Sequence, residues 1–294
     1  MPWLQLFIDA QRNHVAGIEA ALLNAGAVSV TLQDNADQPI FEPGLGETPL
    51  WQQTRITGLF TSNTDTEITN QVLHRQLTQA SANYRWEQLE DKDWERAWMD
   101  NYHPIQCAEH LWICPSWREP PDHNAINILL DPGLAFGTGT HPTTFLCMQW
   151  LAQQTFSERE IIDYGCGSGI LGITALLLGA HTATGIDIDP QALIATKDNV
   201  IRNGLNSDDF QVYLPSACPQ GDADIVIANI LAGPLAELAD ELLTRLKRGG
   251  QLCLSGILAP QADAVMAAYS PHIEFDPVAQ KDEWVRLSGV KKQL

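Results

Sequence analysis

The sequence predicts an α/β sheet wound on both faces, preceded by a small α+β domain. Two observations carry this. In the second part of the chain, short apolar runs alternate with helical periods, the pattern of strands linked by crossover helices. Before Leu89 the order of periods is β-α-β-β-α-β, the split arrangement of ferredoxin-like domains. A chain of 294 residues is long for one core and suits two domains. The expected boundaries are 1–89, a helical connector over 90–104, and 105–294.

In the first part, Trp3-Leu4-Gln5-Leu6-Phe7-Ile8 reads as a mostly buried strand. Val15, Ile18, Leu22 and Ala25 recur at helical spacing, and Gly26 stops that helix. Val28, Val30 and Leu32 alternate as a second strand. The stretch from Gln33 to Pro49 is rich in Asp, Pro and Gly and reads as a loop. A third strand covers Thr54–Phe60, a second helix carries Ile68, Val72 and Leu77, and a fourth strand covers Tyr84–Glu87. No catalytic constellation is visible here, so binding is the expected role. In the connector, Trp94 and Trp98 share one helical face, which suits core packing and a stiff linker alike.

In the second part, strands are expected at Leu111–Cys114, Ile126–Leu130, Ile161–Tyr164, Ala183–Ile188, Phe210–Leu214, Ile225–Asn229 and Gln251–Ser255. Helices are expected at Thr143–Gln153, Gly169–Leu178, Gln191–Asn203, Leu235–Leu246 and Pro260–Tyr269. Ile273–Phe275 and Trp284–Leu287 are expected to pair as an antiparallel edge.

Composition excludes several classes. Hydrophobic residues make up 45% and charged residues 18%, the balance of an ordinary globular chain. No apolar run approaches the roughly 20 residues that span a bilayer. The opening apolar run is broken by Gln5 and stopped by Asp9, and it is not read as a signal peptide. Lys plus Arg is 17 and Asp plus Glu is 36, a net charge of −19. Such a surface repels phosphate backbones and favours a basic partner. The six cysteines show no CxxC pair or zinc spacing and read as reduced, mostly buried thiols of a cytoplasmic protein. No metal is expected.

The strongest motif is Ile161-Ile162-Asp163-Tyr164-Gly165-Cys166-Gly167-Ser168-Gly169-Ile170-Leu171-Gly172. It joins a buried strand to a helix, where glycines let the backbone turn tightly near a ligand. Gly167-x-Gly169-x-x-Gly172 alone also fits a dinucleotide fingerprint. Asp163 tilts the choice, because a carboxylate so close would repel a pyrophosphate but welcome the cationic amino group of S-adenosylmethionine. Asp187, at the end of the next strand, is placed to accept the ribose hydroxyls, a feature shared with NAD sites. Asn229 ends a further strand at the same carboxyl edge. Each has a plainer reading: a helix cap for Asp163, a turn residue for Asp187, a self-satisfied loop amide for Asn229. Their recurrence at three strand ends favours a ligand site. An NAD-dependent oxidoreductase on the same sheet stays open at this point.

A second glycine-rich loop, Asp131–Thr144, leads into a helix. Thr143 and Thr144 place hydroxyls near that helix start, and His141 reads as a loop residue before it reads as a base.

The loop Asp131–Thr144, the glycine motif, Gly185–Pro190 and Asn229-Ile230-Leu231-Ala232-Gly233-Pro234-Leu235 together resemble the methyltransferases that modify large-subunit ribosomal protein eleven, the stalk-base protein. The resemblance extends to the Trp-rich connector, Leu111–Trp117 and the opening Met1-Pro2-Trp3, so it covers most of the chain. The run Asn229-Ile230-Leu231-Ala232 stands where many amine and base methyltransferases carry Asn-Pro-Pro-Tyr, which argues against a stacked nucleobase target. The resemblance implies a class I methyltransferase fold, Rossmann-like, with seven strands and an antiparallel edge strand. It implies S-adenosyl-L-methionine as cofactor, contacted by Thr144, Gly165, Asp187 and Asn229. It further implies trimethylation of lysine ε-amines and the N-terminal α-amine, with the first domain recognising the target and the connector letting the second reach several amines. A monomer with no metal, nucleic acid or membrane partner completes the expectation.

Overall fold

The computed structural model describes residues 3–36, 38, 40, 47–77, 84–89, 99, 102–131, 139 and 141–293. The chain forms two compact units, Met1–Met99 and Asp100–Leu294. Most of the connector expected over 90–104 and most of the loop over 131–144 lie outside the described residues.

The first unit runs β1 (Trp3–Gln11), α1 (Val15–Asn24), β2 (Ser29–Asp34), β3 (Gln53–Thr61), α2 (Thr66–Gln76) and β4 (Arg85–Leu89). Its strands lie in the order β2-β3-β1-β4, all neighbours antiparallel, which is the ferredoxin-like order. Alternate residues of a strand face one side. Leu6 and Ile8 of β1 and Ile56 and Phe60 of β3 therefore meet Val15, Ile18 and Leu22 of α1 and Leu73 of α2 in one core. Asp65 caps α2 by accepting from the Glu67 and Ile68 amides. The face of α2 differs from expectation: Thr69 and Leu73 are buried, while Ile68 is 59% exposed. Thr69 and Leu73, four apart, form the seam, and a polar residue in that seam hid it from the apolar pattern.

The second unit opens with β5 (Ile105–Ala108), β6 (Leu111–Cys114) and β7 (Ile126–Leu129), a sheet of their own. This corrects the expectation that the runs at Leu111 and Ile126 join the main sheet. An apolar run marks a buried strand without naming its neighbours. Ile113 and Ile128 pack with Cys147 and Ile170, so the small sheet closes over helices of the larger layer. Asn203 ties it down: its Nδ2 donates to Leu129 O at 2.9 Å and its Oδ1 accepts from the Leu129 amide at 2.8 Å.

The main layer follows with α3 (Pro142–Leu151), β8 (Glu160–Tyr164), α4 (Ile170–Leu177), β9 (Thr182–Ile186), α5 (Pro190–Arg202), β10 (Phe210–Tyr213), β11 (Ala223–Asn229), α6 (Ala232–Glu237), α7 (Ala239–Thr244), β12 (Leu246–Leu258), α8 (Ala262–Tyr269), β13 (Ile273–Phe275), β14 (Ala279–Lys281) and β15 (Trp284–Lys291). The strand order is β10-β9-β8-β11-β12-β15-β13, with β14 added on β15. Pairs from β10 to β12 are parallel, whereas β15 runs antiparallel to β12, β13 and β14. This is the class I methyltransferase order, and β14 is an eighth strand beyond the expected seven. Strands buried on both faces read as continuous apolar runs. One face packs on Cys147, Ile173 and Val200 of α3, α4 and α5, and the other on Leu235, Leu242 and Val265 of α6, α7 and α8. The single helix expected over Leu235–Leu246 is two, broken where Leu238 takes φ −89° and ψ 10°. Its apolar period continues through the break, which is why the sequence reads as one helix.

Candidate active site

The sheet order reverses beside β8, whose neighbours are β9 and β11. In open α/β sheets the crevice at such a switch point, outside the carboxyl ends of the strands, is where ligands sit. Gly165, Asp187 and Asn229 all fall there, at or just past the ends of β8, β9 and β11.

The glycine loop is braced from both sides. The Gly165 and Cys166 amides donate to Ile186 O at 2.7 and 3.1 Å, which pins the loop to the end of β9. Gly165 has φ +76°, and a Cβ there would lie 2.3 Å from Ile230 Cγ2, so only glycine fits. Two side chains on the buried face of α5 hold the far side. Thr196 Oγ1 donates to Gly167 O, and Asn199 Nδ2 donates to Ser168 O, both at 2.9 Å. Both residues are buried, and sequence reasoning missed them. The available signal was polar residues three apart on the inward face of an amphipathic helix.

Asp187 holds the loop as well as facing the crevice. One carboxylate oxygen accepts from the Gly167 amide at 2.8 Å and the other from the Asp189 amide at 2.9 Å. A carboxylate has about four lone-pair sites, so each oxygen keeps one for a hydroxyl. The turn reading of Asp187 is thus the one observed, and it leaves lone pairs open to a ligand. Beside it Ile188, expected as the last residue of the strand, lies past its end at Ile186 and is 83% exposed, an apolar side chain at the rim.

Asp163 behaves differently. It is 1% exposed, its Oδ2 accepts from the Gly172 amide at 3.0 Å, and its Oδ1 has no partner among the described residues. The helix-capping reading is thus realised in the first turn of α4. Burial pushes its carboxyl from the usual 3.8 up to about 7, opposed by the Gly172 bond and assisted by the nearby Asp187 charge. A carboxyl so raised is partly neutral near pH 7, and its repulsion of a diphosphate is weaker than the sequence argument assumed. Its buried, unpartnered oxygen still fits a cationic donor.

The other half of the rim joins residues far apart in sequence. Asn229 Nδ2 donates to Thr144 Oγ1 at 3.4 Å, bridging β11 and the first turn of α3. Thr144 is 1% exposed. His141 is the N-cap of α3: its Nδ1 lies 2.8 Å from Thr143 Oγ1 and accepts from the Thr143 amide at 3.4 Å. Burial lowers its pKa, and its ring meets Trp284 edge-on with centroids 4.7 Å apart. Expected as a loop residue, His141 is an N-cap. Of the expected contacts, the structure joins Thr144 to Asn229 and links Gly165 and Asp187 through the ends of β8 and β9.

The donor set fits S-adenosylmethionine: a carboxylate pair of acceptors for vicinal hydroxyls, a buried carboxyl oxygen for an amino group, and an amide at the rim. Six cysteines are free thiols, five of them buried. No helix among the described residues is long and apolar enough to cross a membrane.

Comparison with known proteins shows the family. The family model for ribosomal protein L11 methyltransferase (PrmA) matches residues 2–292. The ribosomal protein L11 methyltransferase of Cellvibrio japonicus is 64% identical over 291 residues, covering 99% of each chain. That of Saccharophagus degradans is 58% identical over 292 residues, covering 99% of this chain and all of the relative. A crystal structure of the ribosomal protein L11 methylase of Lactobacillus delbrueckii subsp. bulgaricus superposes with a TM-score of 0.60 at 34% identity, covering 65% of this chain and all of that one. The chain belongs to the ribosomal protein L11 methyltransferase family.

Proposed function

We propose that this chain transfers methyl groups from S-adenosyl-L-methionine to amino groups of ribosomal protein L11, with Thr144, Gly165, Asp187 and Asn229 as cofactor contacts. The observation that carries the reading is the meeting of Asn229 with Thr144 on the strand edge that also holds Asp187, in a chain 64% identical to a relative named for this activity. When bound, S-adenosylmethionine supplies a methyl already activated on a sulfonium. The chain's own residues then have to bind, orient and dry the site.

Asp187 accepts the ribose hydroxyls while its other lone pairs keep the Gly167 and Asp189 amides in place. Asp163 offers its unpartnered oxygen to the methionine amino group, directly or through water. Thr144 holds the Asn229 amide, and that amide or neighbouring backbone carbonyls orient the incoming amine along the S–CH₃ axis. A lysine amine near pKa 10.4 must first lose its proton, and exclusion of water from the crevice favours the neutral form. Positioning of this kind supplies several kcal/mol, and no dedicated side-chain base is required. His141, occupied as a cap, is not assigned one.

In finer detail, the products are trimethylated lysine ε-amines and a trimethylated N-terminal α-amine. Residues 1–89 recognise the target, 90–104 connect, and 105–294 catalyse. The chain acts as a cytoplasmic monomer, without nucleic acid or membrane, and the −19 charge favours the free basic protein over the assembled subunit. Incubation with radiolabelled cofactor and either free L11 or intact large subunits, with sites mapped by mass spectrometry, tests this. Trimethyl groups on free L11 are expected; label that stays off L11, or stops at monomethyl, contradicts the reading.

A further inference from the structure

The turn that follows Asn229 is held between two glycines, one in the loop after β8 and one in β12. Gly165 faces the Ile230 side chain, as described. On the opposite side is Gly256 of β12, with φ +87°. A Cβ on Gly256 would lie 2.2 Å from Ile230 O, 2.7 Å from Ile230 C and 3.1 Å from Ile230 N. The obstacle there is backbone, which no rotamer change can relieve.

The local strand geometry explains the close approach. Between Leu254 and Ile257 the register of β12 against β15 shifts: three steps along β12 answer the two from Leu287 to Val285. Ser255 and Gly256 fill this bulge. Ser255 is directly paired with Asn229 across β11 and β12, and its buried Oγ donates to Val285 O at 3.0 Å. Bulges with a glycine in the left-handed region bend a strand and re-aim what lies beside it. Here the bulge opens the space in which the Ile230 carbonyl sits.

We propose that Gly256 is a positioning residue for methyl transfer: by receiving the Ile230 carbonyl it sets where the Asn229 amide stands at the rim. This rests on the reading of Asn229 as a residue that acts on the amine. On this reading Gly256 acts through the Ile230 backbone, the group its missing Cβ would meet.

Three variants test it in the full-length chain: Gly256→Ala, Gly256→Asn and Gly256→Ala with Ile230→Ala. Asparagine tolerates a positive φ far better than alanine, yet it carries the same Cβ. The third variant trims the side chain wedged against Gly165, so the turn can retreat from the new Cβ and folding is preserved. All three are expected to lose kcat on L11 by about 100-fold, the scale on which a shift of about 1 Å in a reacting group acts. S-adenosylhomocysteine affinity, governed by Asp187 at the other side of the crevice, is expected to change by less than about fivefold. A merely structural role predicts otherwise: Gly256→Asn recovers kcat over Gly256→Ala because the backbone strain is relieved. That recovery overturns the proposal, as does kcat within about twofold of the parent in the doubly substituted chain, or a loss confined to cofactor affinity. Asn229→Ala, assayed in parallel, separates the two readings. If it keeps full turnover, the role of Asn229 fails and this proposal with it; if it is slow while the Gly256 variants turn over at the parental rate, the role of Asn229 stands and the proposal alone fails.

Discussion

The two halves of the crevice are built from different materials. On the β8–β9 side, nearly every contact involves backbone: the Gly165 and Cys166 amides on Ile186 O, the Gly167 and Asp189 amides on Asp187, and Thr196 and Asn199 on loop carbonyls. On the β11–α3 side, among the described residues, a side-chain bond of 3.4 Å joins Asn229 to Thr144. On the proposed reading the first half holds a ligand of fixed shape and the second orients the incoming amine, so that binding and transfer would separate along the edge of one sheet.

Substitution can break that contrast. Asp187→Ala removes acceptors for two ribose hydroxyls and releases the Gly167 amide. Two hydrogen bonds to a charged group, at about 1.5 kcal/mol or more each, give a loss of S-adenosylhomocysteine affinity of about 100-fold or greater by calorimetric titration. Asn229→Ala is expected to lower kcat by about 30-fold or more at saturating cofactor, with a smaller change in affinity, because misorientation acts on the transfer step. Full turnover with unaltered affinity would remove Asn229 from the site. Thr144→Val keeps shape but deletes the acceptor of the Asn229 amide, and a loss in kcat of about tenfold is expected from one neutral hydrogen bond. Equal losses in affinity and turnover for these last two would erase the distinction between the halves.

Asp163→Asn has the smallest expected effect on affinity, below about fivefold, since the native carboxyl is already partly neutral near pH 7. Its signature is in stability. The folded carboxyl holds its proton up to about 7 against 3.8 in the unfolded chain. Between these values the native state binds more protons than the unfolded state, so stability falls as pH rises through that window and levels off above it. Asp163→Asn should flatten this slope in thermal unfolding measured from pH 5 to 8. An unchanged slope would mean that Asp163 is ionised in the fold.

Much of the fold was legible because its signals are local. The β-α-β-β-α-β order of the first unit, the alternation of the second and the antiparallel return at Trp284–Leu287 all follow from periodicity and turn residues. The strand-end residues Gly165, Asp187 and Asn229 were legible because polar or glycine residues interrupt apolar runs at one edge. What could not be read is non-local. Nothing near Leu111 or Ile126 says that they form a sheet apart with Ile105–Ala108. The Thr144–Asn229 bond spans 85 residues, so only the closed sheet brings its partners together. Gly256 lies past the strand expected over Gln251–Ser255, and its bulge exists only against β15.

The central claim is that the crevice at the ends of β8, β9 and β11 is shaped for an adenosyl sulfonium donor and anchored by Asp187. Titration of the intact chain and of Asp187→Ala with S-adenosylhomocysteine and with NADH tests it most directly. Saturable binding of S-adenosylhomocysteine to the parent is expected, with its collapse in Asp187→Ala and no heat from NADH in either. Tight NADH binding with none of S-adenosylhomocysteine would contradict it.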